Sequence, residues 1–586
     1  MAKELLPFDT GSNYNFADKF KKAEFARSMF DLSHTLTTTV DNCGYLVPIL
    51  TMPVLPGDSI EISLDNLIRV MPQVVPLMSR QRAYCHMFYA RESDLWEDAL
   101  EYQKRGYSGN TVLQKPVLNA GLLGSYWSKA VAAGDLLNYL GLPIGYSPEQ
   151  LSAISPISAL PLFMYFKIVW QYYRNKNLMI DDRVRLPNKP QDFRLASDGT
   201  IISNKYADSE NPAITLGELL CREWQADYFT SAFPSPQRGN AATLPATANL
   251  SGADFDAFLS GTRDVGEAYK RLNFQAASGI TAIDNFNIAF AKDASGSSKH
   301  TAYGSFASSL INNIAYLTGV SGRLNLTNGT SSVDLDISLN DIRQLAIKQL
   351  ELERMAKTDG SDYEFGMTFF GVASRNAVDF HITYCGGCYQ GLAFSEVLQT
   401  SASTDDSALG RFAGHGISAQ KTGYCGKLDA DEHGICMVLF SVMPDVYYSQ
   451  GLDKFWTITL EAEEFKPGRD RMGMTAILNR ELYISGDSSK DNLPYAYQDP
   501  FDYLRYMPNR ISGKIADSAS LSFSPYTQGR LFASTPTYSH SFFDAKSVRK
   551  DYLYAPSEVA YIVETAFEIR AVRELSYVQQ PAQILN

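Results

Sequence analysis

Apolar and polar residues alternate with a period of two at widely separated places along this chain, and that pattern restricts its fold most. Ile60, Ile62 and Leu64 alternate with Ser59, Glu61 and Ser63, and Val378, Phe380, Ile382 and Tyr384 with Asp379, His381 and Thr383. Trp456, Ile458, Leu460 and Ala462 alternate with Thr457, Thr459, Glu461 and Glu463. Near the end, Val559, Tyr561, Val563, Thr565, Phe567 and Ile569 line one face of a long predicted strand. Side chains of a strand point to opposite faces in turn, so each segment reads as a strand with one buried and one wetter face. ICMVLFSVM, residues 435–443, is apolar throughout and reads as a central strand covered on both sides. The spacers between these strands are too long for a simple sandwich, so the pattern predicts a β-sandwich with large insertions in its loops.

Two segments predict helices. LPLFMYFKIVWQYYRNKNL, 160–178, has Pro161 in its first turn and ends in Arg174, Lys176 and Asn177, suited to the negative end of the helix dipole. SLNDIRQLAIKQLELERMAK, 338–357, opens on Ser338 and Asp341 at capping-box spacing and carries an apolar stripe of Ile342, Leu345, Leu352 and Met355. Residues 241–332 are rich in Ala, Ser, Gly, Asn and Thr and poor in charge, which reads as an exposed insertion. The expected organisation is an N-terminal arm (1–40), a first part of the sandwich with a helical insertion (41–240), a variable surface insertion (241–335) and the remainder of the sandwich with interface loops (336–586).

The chain has 586 residues, 45% of them hydrophobic and 20% charged, as in a folded globular protein. With 34 Tyr and 32 Phe it is aromatic-rich, which suits sheets and contact surfaces. A net charge of −12 argues against a protein that coats nucleic acid with its whole surface. The N-terminal MAKELLPFDTGSNYNF has no apolar core of a secretory signal, and ALPLFMYFKIVW is too short and too interrupted by Lys167 to span a bilayer, so membrane insertion is not expected. Seven irregularly placed cysteines fit free thiols in a reducing compartment, which points to synthesis in a cytoplasm.

Candidate chemistry is sparse. Cys385-Gly-Gly-Cys388, His433-Gly-Ile-Cys436 and nearby Cys425 could supply four ligands to zinc. The structural reading is preferred, because Cys385 ends an alternating strand and Cys436 lies in an apolar one; no metal or cofactor is assigned. The pairs Glu461/Glu463 or Asp94/Glu97 could in principle act as a glycosidase acid and base, but Glu461 and Glu463 read as ordinary solvated carboxylates on the polar face of a strand. No P-loop, nucleophile elbow or HExxH motif occurs, so no catalytic residue is assigned. Lys19, Lys21, Lys22 and Arg27 interleave with Phe16, Phe20, Phe25 and Phe30. That cluster reads equally as a DNA contact, with cations on phosphates and rings on bases, and as a solvated amphipathic helix.

Several segments together are similar to one known family: FDLSHTLTTTVDNCGYLVPILTMPVLPGDSIEI (30–62), ALPLFMYFKIVWQYYRNKNL (159–178), DYFTSAFPSPQRGN (227–240), LNDIRQLAIKQLELERMAKTDGSDYE (339–364), DEHGICMVLFSVMPDVYYSQGLDKFW (431–456), LNRELYISGD (478–487) and YQDPFDYLRYMPNRISG (497–513). In this order they resemble the major capsid proteins of the Microviridae, single-stranded DNA bacteriophages, in particular the gokushovirus-like branch. The resemblance implies an eight-stranded viral jelly-roll β-sandwich with long inter-strand insertions containing a few helices. It implies a T=1 icosahedral homo-oligomer enclosing circular single-stranded DNA, assembled in the bacterial host cytoplasm and located in the virion. Implied partners are the packaged DNA, a small basic DNA-binding protein, a pentameric spike or pilot protein and a host cell-surface receptor. Residues 241–335 would correspond to a protrusion near the three-fold axes.

YQDPFDYLRYMPNRISG then reads as contact surface. Arg and Tyr concentrate binding energy at interfaces, and Pro500 and Pro508 stiffen the backbone that presents them. Tyr503, Arg505, Tyr506 and Arg510 are the predicted subunit-contact residues; the competing reading has Phe501, Tyr503 and Tyr506 capping the core. Two other functions stay open on sequence alone: a cytoplasmic β-sandwich enzyme or carbohydrate-binding protein, and a jelly-roll shell or tail protein of different symmetry.

Overall fold

The computed structural model describes residues 27–96, 99–105, 114–173, 175, 193–195, 201–204, 217, 219–240, 242, 272–273, 287–292, 298–302, 339–358, 362–372, 382–392, 394–395, 415–471, 473–517 and 523–575. Eight principal strands build its centre: β1 (His34–Val40), β2 (Val47–Val54), β3 (Ser59–Val70), β4 (Gln81–Arg91), β5 (Thr383–Leu392), β6 (His415–Asp429), β7 (Gly434–Pro444) and β8 (Tyr561–Arg573). They pair antiparallel in two sheets, ordered β1-β8-β3-β6 and β5-β4-β7-β2. Successive strands mostly switch sheets, so the two layers are wound together as a jelly-roll sandwich. A short strand, Ser28–Asp31, continues the first sheet by pairing with the far end of β8.

The alternation read from sequence sets the register. Along β8 the buried and exposed positions alternate without interruption from Tyr561 to Ala571, and β3 keeps Ile60, Ile62, Leu64 and Ile68 inward. These residues meet Cys85 and Met87 of β4 and Val438 and Phe440 of β7 in the core between the sheets. Two polar side chains enter that core already paired. Thr565 Oγ1 donates to Asn66 Oδ1 at 2.7 Å, between register partners of β8 and β3, so neither pays the cost of an unmade hydrogen bond.

All eleven residues of β7 are buried, as the continuous apolar run predicts. Its other face, Ile435, Met437 and Leu439, joins Phe88 and Ala90 of β4 in a second core. The β4–β5 connection, residues 92–382, supplies most of the rest of it, above all through residues 160–168. α1 (Pro148–Ile154) starts at a capping box between Ser147 and Gln150, with Pro148 in its first turn. α2 (Leu160–Ile168) is apolar nearly all round and accordingly buried nearly all round. Its one cation, Lys167, is 4% exposed and donates to Asp94 O at 2.5 Å. The predicted helix runs less far than 178: a π-helical turn, Val169–Tyr173, ends its described part, and Arg174, Lys176 and Asn177 lie outside the described residues.

α3 (Leu339–Ala356) matches the second predicted helix. Ser338 lies outside the described residues; Leu345 and Leu352 are half-buried, while Met355 is exposed. The chain divides into two compact units, 1–239 with 351–586, and 240–350. The second contains a three-stranded antiparallel sheet of Leu272–Asn273, Asn287–Lys292 and Ser298–Ala302.

One strand expectation differs from the structure and one is described only in part. Of the alternation at 378–384, Val378–His381 lie outside the described residues, and β5 begins at Thr383. Residues 456–463 are not a strand. They fold as two short 3-10 turns, Lys454–Thr457 and Glu461–Glu463, because local bonds satisfy the backbone instead of a partner strand. Glu463 Oε2 accepts the N–H of Thr459 at 3.1 Å and of Leu460 at 3.4 Å.

Phe440 is fully buried between the sheets, so Phe440→Ala should cost about 3–5 kcal/mol in chemical denaturation. Tyr424→Ala, at an exposed position of β6, should stay within about 0.5 kcal/mol.

Candidate assembly interface

The β7–β8 connection, residues 445–560, carries YQDPFDYLRYMPNRISG. Thr475–Leu478 and Pro494–Gln498 form an antiparallel ribbon that delivers the chain to Phe501. Phe501 adopts a left-handed backbone (φ 63°), which costs a non-glycine residue about 1 kcal/mol or more, and opens the 3-10 turn Asp502–Leu504. Phe465 holds its ring edge-on, with centroids 5.2 Å apart. Further on, Tyr448 N–H donates to Asn509 O at 3.1 Å, Ile511 N–H to Tyr448 O at 3.2 Å, and Asn509 Nδ2 to Val446 O at 2.9 Å. Both ends of the segment are therefore tied down, and residues 504–507 project between them.

The projection is apolar. Leu504, Tyr506 and Met507 are exposed, Met507 by 92%, and the neighbouring loop exposes Phe455, Trp456 and Leu460. Between the two loops lies a cavity of about 140 Å³, walled by Phe455, Tyr503, Tyr506, Met507, Pro508 and Arg510. Its floor holds Tyr228, Tyr448 and Glu481. Glu481 is 6% exposed; it accepts from Tyr228 Oη at 2.9 Å and from Leu478 N–H at 3.2 Å, with Lys454 Nζ 3.6 Å away. Burial nevertheless dominates and raises its pKa above the ordinary carboxylate value. The loop passes over it at Gly451, where a Cβ would lie 1.9 Å from Glu481 O, so only glycine fits.

The four predicted contact residues separate. Tyr503, Tyr506 and Arg510 share the cavity wall, whereas Arg505 pairs with Asp502 on the far side of the turn. Tyr503 is half-buried and packs on the inter-sheet core; Arg505, Tyr506 and Arg510 are exposed, Arg510 pairing with Asp453 at 2.9 Å. Sequence reasoning missed Phe455, and it placed Trp456 and Leu460 on a strand. The turn signal Lys466-Pro467-Gly468 directly behind them was the available clue.

Of the predicted nucleic-acid contacts, Lys19, Lys21 and Lys22 lie outside the described residues, and Arg27 pairs with Glu574 at 2.9 Å. Cys385 and Cys388 lie on β5, Cys425 on β6 and Cys436 on β7, while His433 lies just ahead of β7. Among the described residues no group of three or more His, Cys, Asp or Glu is placed to hold a metal ion. Glu461 pairs with Lys466, and Asp94 with Arg91 at 3.0 Å; Glu97 lies outside the described residues. No helix among the described residues is long and apolar enough to cross a membrane.

The profile of the capsid protein (F protein) family matches residues 18–583. The chain belongs to that family. It is 24% identical over 599 residues to capsid protein VP1 of Chlamydia phage 1, covering 95% of this chain and 96% of that one. It is 25% identical over 522 residues to capsid protein VP1 of Bdellovibrio phage phiMH2K, covering 86% and 85%. With capsid protein VP1 of Spiroplasma virus 4 the identity is 24% over 544 residues, covering 90% of each chain. The Microviridae capsid family read from the sequence is thus the family found, and membership implies self-assembly into a capsid.

Glu481 supplies a pH test of the cavity. Its folded pKa lies above the unfolded value of about 4.3, so its contribution to stability is full below that pH and falls as pH rises through the folded pKa. Glu481→Gln should therefore match the parent near pH 4 and gain on it in urea midpoints as pH rises through the folded pKa of Glu481. Equal losses at every pH would contradict the burial argument.

Proposed function

We propose that this chain is the major capsid protein of a single-stranded DNA phage, forming a T=1 icosahedral shell around a circular genome and acting structurally rather than catalytically. The observation that carries this reading is the match to the capsid family over 18–583, on a chain whose centre is a jelly-roll sandwich. Such a shell is closed by heterologous contacts, in which different surfaces of neighbouring copies meet around symmetry axes.

The surface proposed for one such contact is the pair of loops bearing Phe455, Trp456, Leu504, Tyr506 and Met507, with Tyr503, Arg505 and Arg510 in or beneath it. Exposed apolar groups gathered on two adjoining loops favour burial against another copy. The cavity gives that contact a socket, and the bound ends of the segment reduce the freedom lost on docking.

The other partners follow from charge and composition. A chain of net charge −12 needs cations from elsewhere to neutralise packaged phosphates, which supports a small basic DNA-binding protein as a partner. The outward row of β3 and β8 fits this view, since Glu61, Asp65, Glu564 and Glu568 outnumber Arg69 and Arg570 there. The cluster of Lys19, Lys21, Lys22 and Arg27 remains the proposed local DNA contact. A pentameric spike or pilot protein and a host receptor complete the set, with residues 241–335 proposed as the receptor-facing protrusion near the three-fold axes. Assembly is proposed to occur in the bacterial host cytoplasm, with the virion as final location.

Two experiments test this reading. Tyr506→Ala and Arg510→Ala should each weaken the contact by about 1–2 kcal/mol and lower particle yield in sedimentation, with an unchanged fold by circular dichroism. Unchanged yield and particle melting would remove this surface from the interface. Deleting 241–335 should leave particles that assemble but no longer adsorb to host cells; unaltered adsorption would refute the receptor role.

A further inference from the structure

β5 and β6 belong to different sheets, yet their backbones touch. A Cβ on Gly386 would lie 2.5 Å from Cys425 O, and one on Gly426 would lie 2.5 Å from Cys385 O. Two glycines therefore allow an approach that no other residues would permit. It brings Cys425 of β6 against Cys388 of β5, whose register partner on β4 is Cys85. The three thiols are neighbours: Cys388 stands opposite Cys85 in the β4–β5 register and close to Cys425 of the facing sheet. All three are reduced; Cys85 and Cys425 are buried, and Cys388 is half-buried.

We propose that Cys388 is an oxidation site, and that hydroperoxides convert this cluster into a Cys85–Cys388 disulfide. Cys388 is the entry point because it alone of the three reaches solvent. Its thiol pKa is also lowered, chiefly by the adjoining Cys425 and Cys85 thiols, which stabilise its charge, and the thiolate is the reactive form. The Cys388 thiolate attacks one peroxide oxygen; an S–O bond forms, the O–O bond breaks, and hydroxide leaves to become water on taking up a proton. Cys388 is then a sulfenic acid. The Cys85 sulfur, giving up its proton, attacks the Cys388 sulfur; an S–S bond forms and the hydroxyl departs with that proton as a second water. Two thiols and one hydrogen peroxide thus give one disulfide and two waters.

Register selects Cys85 as the resolving partner. Residues directly opposed across an antiparallel pair have Cα atoms about 4.5–5.5 Å apart, inside the range of about 4.4–6.8 Å that a disulfide spans without backbone movement. The bond would tie β4 to β5 and so close the long connection 92–382 at its base. A chain made with reduced thiols would acquire this link only on meeting an oxidising environment.

The test uses purified full-length protein and hydrogen peroxide as the probe, followed by denaturation in an alkylating reagent and peptide mass mapping. Two of the seven thiols should be lost, in one cross-linked peptide pair joining Cys85 to Cys388. Cys388→Ala should abolish the loss, Cys221→Ser should leave it intact, and Cys85→Ser should leave a Cys388 sulfenic acid that dimedone traps. Seven alkylatable thiols after peroxide, or a link that joins Cys388 to Cys425 instead, would overturn the proposal. The map of the unaltered protein decides the question even where a variant misfolds.

Discussion

β7 has no face turned to water, and the rest of the molecule is arranged around that fact. Its even-numbered residues, Cys436, Val438 and Phe440, enter the core between the sheets, while Ile435, Met437 and Leu439 enter a second core. A sandwich alone covers only the first. The second needs a layer from elsewhere in the chain, and the β4–β5 connection provides it through α2, whose Leu162, Phe163, Tyr165 and Phe166 are all buried. At about 25 cal/mol per Å² of apolar surface, covering such a strand on both sides is a principal source of stability. The long insertion is therefore structural where it meets the sheet, whatever its outer parts do.

The same arrangement explains where exposed apolar surface arises. Short connections keep the sheets together: residues 41–46, 55–58 and 430–433 each link strands of opposite sheets. The two long connections, 92–382 and 445–560, carry what the sandwich does not need for itself. In the second of them the buried residues face inward, with Tyr503 on the core and Glu481 under the cavity, while Trp456, Tyr506 and Met507 face solvent. Such a division suits the proposed subunit contact, since the same loops hold to their own sandwich and still leave apolar surface exposed.

Much of the fold was legible in the sequence. The strands at 59–70, 434–444 and 561–573 follow directly from alternation or from a continuous apolar run, since burial on one or both faces leaves that trace. β1 and β2 left a weaker one. β1, HTLTTTV, is rich in threonine and mostly exposed, so its pairing with β8 depends on partners far away in sequence. At 456–463 the alternation was present but no strand lies alongside among the described residues, and hydrogen bonds donated to Glu463 by the Thr459 and Leu460 N–H groups decided the backbone. At the candidate site, residue type singled out Tyr503, Arg505, Tyr506 and Arg510 alike but could not tell that Arg505 pairs with Asp502 while the other three line the cavity. Nor could spacing foretell that Cys85, 303 positions before Cys388, would stand opposite it, because that pairing is a product of sheet register.

The most direct measurement is an electron cryo-microscopy reconstruction of particles assembled from this chain, with the phage's other proteins supplied if needed. The account predicts a closed icosahedral shell with the jelly roll in its wall and with Trp456, Tyr506 and Met507 buried against a neighbouring copy. A chain that stays monomeric with those proteins present, or a shell that leaves these three side chains in solvent, would contradict it.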